Sequence, residues 1–302
     1  MKGGRCVTER GWRYDEPTAR QVRLGHVLEG LRKDAGMSQR EVASALDWKG
    51  GASKPSRIES GRLGISEADL ERLLTLYGVT DQGLKAYILH LKHRGNERGW
   101  ETQVRAVSAA YADLIGYEGD AESAYNVQLT AIPGLLHTPD YASAVMDQHT
   151  PDISEEGREE RLAIRARRQE VFKRPNPLMF WGVISESVFE HVLGSPQVMA
   201  DQLDHLLDLC EEYPHNITIQ VLPKKAASHA ALFGPFVILS FPERWEPDIV
   251  YVEGYTSTRF LEAAGEVKEY SNLFRRLMVT DSLRESESIE LIRKYADDYR
   301  KG

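Results

Sequence analysis

The first third of the chain is a series of short stretches at helical spacing, each bounded by capping and stop residues. Thr18 with Gln21 has capping-box spacing and predicts a helix over 18–33. Gly36 suits the left-handed end of that helix. Ser38 with Glu41 repeats the spacing, and Val42, Ala43 and Leu46 then place an apolar stripe on one face of a short helix. The next predicted helix, over 53–60, breaks the pattern. Ile58 is its single large apolar anchor, its other side chains include Lys54, Ser56, Arg57 and Glu59, and Gly61 stops it. A helix so poor in apolar residues is held by its neighbour and presents polar groups outward. Ser66 predicts a helix over 67–76 closed by Tyr77-Gly78, and Asp81 caps another through His93.

Beyond Trp100 the pattern changes. A helix is predicted over 103–114, then an alternating run over 124–129 that reads as a strand. A turn and helix cap over 132–138 lead into helices over 139–146 and 154–173. Four runs rich in β-branched and aromatic residues, 178–184, 217–222, 236–241 and 249–252, predict strands. Helices over 197–213, 267–278 and 286–299 separate or follow them, and in the last Ile289, Ile292, Tyr295, Ala296 and Tyr299 line one face. The polar, Gly-containing stretch 94–99 marks a boundary. The expected architecture is a flexible arm over 1–16, an all-α domain over 17–95 with a helix-turn-helix, and an α+β domain over 100–302.

Charge sharpens this division. The whole chain of 302 residues carries a formal charge of −8. Residues 1–79 hold 14 Lys and Arg against 11 Asp and Glu, while the remainder holds 24 against 35. The amino-terminal part alone has the sign that meets phosphate, and its small excess requires placement of charge rather than bulk charge. The arm adds Lys2, Arg5, Arg10 and Arg13, which could follow a DNA backbone, though a solvated tail is the simpler reading. There is no run of about 18 apolar residues and no apolar leader near the start, so a cytoplasmic protein without a membrane span is expected. Cys6 and Cys210 form no redox or metal motif.

Leu24, Leu28, Leu31 and Arg32, then Gly36-Met37-Ser38-Gln39, Glu41, Val42-Ala43 and the run from Ser56 to Gly61, occur in the order of the Cro-like, xenobiotic-response-element class of helix-turn-helix domains, which this segment resembles. The resemblance implies a buried ion pair between Arg32 and Glu59, and Gln39 and Arg40 facing phosphate. The segment departs from the pattern in three places. Asp47 stands where the family has glycine, the turn through Lys49-Gly50-Gly51 carries two extra residues, and Pro55 takes an apolar position in the recognition helix. Proline is tolerated only in a first helical turn, which makes Ser53 the expected N-cap. The expected DNA-binding residues are Gln39, Arg40, Lys49, Ser53, Lys54, Ser56 and Arg57. Base edges would be met by Ser53, Lys54 and Ser56, and a base or an adjacent phosphate by Arg57.

The run Ile132 to Thr138, Tyr141, Arg161, Arg165, Arg168-Gln169, Val221-Leu222-Pro223, Gly234 to Pro242 and Val250 to Gly254 is similar to the carboxy-terminal domain of WhiJ-like, antitoxin-like actinobacterial regulators. That resemblance implies transcriptional control with a small protein partner encoded nearby. Together the two imply a DNA-binding regulator, dimeric and of repressor type, whose second domain receives a protein or small-molecule signal. The alternative is an interaction module with a degenerate helix-turn-helix that does not bind DNA. Arg161, Arg165 and Arg168 share a helix face and form either an anion or partner site, or intramolecular pairs with Asp201, Asp204, Asp208, Glu211 and Glu212. His90 and His93 lack a third ligand, and His229 reads equally as a pocket or a plain loop residue. Ser185-Glu186-Ser187 lacks the flanking glycines of a nucleophile elbow, so neither an enzyme nor a cofactor is expected.

Overall fold

Short, well-capped helices build the first part of the molecule. The computed structural model describes residues 19–96, 108–150, 152–226, 234–242, 247–254 and 258–301. The basic arm, the Thr18 cap and His229 lie outside them. The chain divides into two units, 1–105 and 106–302.

In the first unit, α1 (Ala19–Asp34), α2 (Gln39–Ala45), α3 (Ser53–Glu59), α4 (Glu67–Leu76) and α5 (Gln82–Asn96) enclose Leu28, Val42, Ile58, Leu70, Leu73 and Ile88. Both halves of the α2 capping box are made: Ser38 Oγ accepts from Glu41 N–H at 3.3 Å, and the Glu41 carboxylate accepts from Ser38 N–H at 2.7 Å. Ser66 caps α4, and the Asp81 carboxylate accepts from Leu84 N–H at 2.9 Å. The turn after α2 places Asp47 at φ 56°, followed by Gly50 at φ 101° and Gly51 at φ 59°. The expected Ser53 cap is corrected. Ala52 holds the cap position in helical geometry without a side-chain bond, and Ser53 is the first residue of the helix. Pro55 has no N–H to offer, and Ser56 N–H already donates to the Ala52 carbonyl at 3.1 Å, so a hydroxyl at 53 finds no free donor. Helix α5 runs to Asn96, three residues past the predicted end at His93 and into the expected boundary stretch.

The second unit is built on one mixed sheet: β1 (Ser123–Gln128), β2 (Met179–Ser185), β3 (Ile217–Leu222), β4 (Phe236–Ser240), β5 (Ile249–Glu253) and β6 (Thr258–Leu261), in the order β3-β2-β1-β4-β5-β6. The pairs β1–β2 and β2–β3 are parallel, and β1–β4, β4–β5 and β5–β6 antiparallel. The intervening helices are α6 (Ala109–Asp120), α7 (Pro139–His149), α8 (Glu155–Arg168), α9 (Pro196–Glu212), α10 (Ala264–Arg276) and α11 (Glu285–Lys301). Val127, Val183, Phe236, Ile238 and Val250 pack with Phe274 of α10 on one face. On the other, Tyr117 of α6 meets Phe260, and Phe172 just beyond α8 meets Phe180. The outer edge of β3 is closed: Leu283 N–H donates to the Val221 carbonyl, and Val221 N–H to Ser288 Oγ on α11, both at 2.9 Å.

In the second unit, α6 and β6 differ most from expectation. Helix α6 is capped by Ser108 and continues to Asp120, six residues past the predicted end at Leu114. Gly116 and Gly119 weaken its propensity, but burial of Ile115 and Tyr117 carries it on. Strand β6 has only four residues and one buried side chain, Leu261, so alternation alone does not reveal it.

Candidate nucleic-acid interface

A buried polar knot joins the helices that would face DNA. Arg32 on α1 donates Nε to Glu59 Oε1 at 2.7 Å and Nη2 to Oε2 at 3.0 Å. Its Nη1 donates to the Met37 carbonyl at 2.8 Å, and Gln39 Nε2 on α2 donates to Glu59 Oε2 at 2.8 Å. Both charged side chains are buried, and the hydrogen bond from Arg32 to Glu59 holds the guanidinium pKa above its usual range. The planar fork satisfies both carboxylate oxygens. One anion at the end of α3 thus fixes the end of α1 and the start of α2.

Around this knot, Arg40, Lys49, Ser53, Ser56 and Arg57 are exposed. The side chains of Arg40, Lys49 and Arg57 make no hydrogen bond or ion pair among the described residues. Arg62, absent from the sequence-derived set, shares this state just past the end of α3. The signal for it was a basic residue directly after the Gly61 stop.

Lys54 departs from its expected place among the base-reading side chains. Its ammonium lies 2.7 Å from Asp69 Oδ2 and 4.1 Å from the centre of the Trp48 ring. Trp48 Nε1 also donates to Asp69, and the hydrogen bond from Lys54 leads the contacts that hold the Asp69 carboxyl below its usual range. Lys54 is therefore committed within the domain, tying α3 to α4. Gln39 is likewise half-buried and engaged with Glu59, leaving its exposed neighbour Arg40 as the unpaired group of α2.

In the second unit the three arginines of the expected face meet different partners. Arg168 is buried and donates Nε and Nη2 to the Glu118 carboxylate at 2.9 and 2.7 Å, with Nη1 bonded to the Tyr111 hydroxyl. Arg161 Nη1 donates to Thr150 Oγ1 at 3.0 Å, and Arg165 Nη1 to His137 Nδ1 at 2.8 Å. Three acidic residues of α9 pair elsewhere: Asp204 with Arg300, Glu211 with Arg293 at 4.0 Å, and Asp201 with Gln197 at 2.7 Å. The sequence missed Glu118 and His137, because both are brought to α8 by tertiary packing alone. No group of three or more metal-ligating side chains occurs among the described residues, and no helix there is long and apolar enough to cross a membrane.

The capped α2, the extended turn over 46–52 and the polar α3 define a helix-turn-helix domain, and the family model of that description matches residues 23–86. This is consistent with a DNA-binding regulator. Residues 111–294, more than half of the chain, match the model described as a domain of unknown function, DUF5753, and the chain belongs to that family. Comparison with curated proteins and with solved structures returns no match.

Proposed function

We propose that the protein is a sequence-specific transcriptional regulator, of repressor type and homodimeric, that uses the helix-turn-helix to bind double-stranded DNA. The observation that carries the reading is the set of exposed, unpaired cations beside the buried Arg32–Glu59 knot. Arg40 meets phosphate. Arg57, the unengaged cation of α3, reaches a base edge, with Ser53 and Ser56 beside it. Two copies would read half-sites about one helical turn apart, as Cro-like domains do. The second unit receives a signal from a small molecule or a small protein partner, as in the WhiJ-like regulators it resembles, and neither unit is an enzyme.

The commitment of Lys54 to Asp69 favours one alternative, a docking module in which the short α3 is a protein-binding surface. Selection of duplexes from a random pool by the full chain separates the two. On a selected duplex, Arg57→Ala should cost about 1–3 kcal/mol, with little loss on random DNA. Arg40→Ala should weaken binding to every sequence alike and flatten the salt slope by about one unit. If no sequence is enriched and both variants bind as wild type does, the docking module is the better account.

A further inference from the structure

Along the inner side of α8 the arginines differ in how their charge is met. Arg158 pairs with Asp147 at 2.6 Å, and Arg168 with Glu118. Arg165 has no carboxylate within ion-pair distance among the described residues. Its described hydrogen bond, from Nη1, goes to His137 Nδ1. That histidine is buried, and its Nε2 lies 2.7 Å from the Ile132 carbonyl. A proton on Nε2 donates to that carbonyl and leaves Nδ1 as the acceptor for Arg165. Burial first, and then the charge of Arg165, push the His137 pKa down to about 3, so the ring stays neutral and cannot itself be a counter-charge.

The guanidinium of Arg165 is half-buried, and burial lowers its pKa. Arg168 and Arg161 add positive potential, and Glu253 acts on it only through space. One of its five N–H donors is engaged by His137. The Nη1 atoms of Arg168 and Arg165 converge on Gly134, where an added Cβ would lie 3.4 and 3.5 Å from them. Two guanidinium groups therefore bracket a point of the chain that carries no side chain. A desolvated cation beside other cations opposes folding unless an anion meets it.

We propose that the second unit binds a small oxyanion, the carboxylate or phosphate group of a small molecule, on the Arg165 guanidinium, with His137 as the positioning residue that orients the fork. The half-buried position suits a small ligand better than the flat surface of a partner protein. The proposal deepens the reading of the second unit as the receiving domain and rests on it for its regulatory meaning.

The test is thermal unfolding of the full chain with increasing sodium phosphate and, separately, sodium citrate, at ionic strength held constant with sodium chloride. Wild type should show a saturable rise in midpoint with at least one anion. Arg165→Gln should abolish the rise while leaving the anion-free midpoint equal or higher, because the variant removes a half-buried charge that no carboxylate meets. Arg165→Lys, which keeps charge but loses the fork, should reduce apparent affinity severalfold and serves if the glutamine variant does not fold. Lys294→Gln, an exposed control on α11, should retain the full rise. A rise that persists in Arg165→Gln, or no saturable rise with either anion, overturns the site. Repeating DNA binding at saturating anion separates the two claims: an Arg165-dependent rise with unchanged DNA affinity keeps the site and removes its role as the regulatory input.

Discussion

Arg32→Ala should destabilise the first unit by about 3–5 kcal/mol, the range expected when one partner of a buried pair is removed. The variant strands the Glu59 carboxylate in a site where it now accepts three hydrogen bonds from Arg32 and Gln39, leaving only the one from Gln39. It also frees the Met37 carbonyl that Arg32 satisfies. The exposed pair Lys33–Glu29 one residue away gives the contrast, since breaking such surface pairs costs about 0–1 kcal/mol. Urea unfolding followed by circular dichroism measures Arg32→Ala and, for the surface pair, Lys33→Ala. A double variant, Arg32→Met with Glu59→Leu, should recover much of the loss by removing both charges together. A loss below about 1 kcal/mol for Arg32→Ala would mean that Glu59 finds other partners.

Gly25→Ala is the second large effect, and it acts through the backbone. A Cβ at Gly25 would lie 2.1 Å from the Glu59 carbonyl oxygen and 2.9 Å from that of Ile58. Both neighbours are main chain, so no side-chain rotation relieves the overlap, and α1 must move away from α3. Alanine gains up to about 1 kcal/mol of helix propensity over glycine. Overpacking of this kind typically costs about 1–3 kcal/mol and here should reach the upper end, so the net change is destabilising. Because the displaced atoms belong to Glu59 and Ile58, DNA affinity should fall as well. Gly30→Ala on the same helix meets nothing within 4 Å and should be neutral or stabilising. Equal unfolding midpoints for the two variants would show that α1 and α3 are not held so closely.

The parts of the fold that could be read from the sequence were those fixed by local chemistry. Ser38 with Glu41, Ser66, Asp81 and Thr138 each mark a helix start because the side-chain oxygen and the N–H it captures are three residues apart. Asp47 occupies the left-handed turn position that its place in the pattern demanded. What escaped was set by distant residues. The Ser53 hydroxyl lost its capping role to the proline two positions on and to a hydrogen bond already made by Ser56. Lys54 looked like a surface cation until Trp48 and Asp69 were brought beside it. Arg168 shared a helix face with Arg161 and Arg165 in the sequence, yet Glu118, fifty residues earlier, draws it into the interior. The six-stranded order and the short β6 likewise depend on pairing that no local pattern encodes.

That the exposed cations of α2 and α3 read DNA is the proposal on which the others depend. It is tested most directly by fluorescence anisotropy of the full chain on a duplex selected from a random pool and on a scrambled duplex of the same composition, each at two salt concentrations. Tighter binding to the selected duplex at both salts, by at least tenfold, and a loss of affinity on both duplexes as salt rises are expected. Equal affinity for the two duplexes at each salt, or no salt dependence at all, would contradict it.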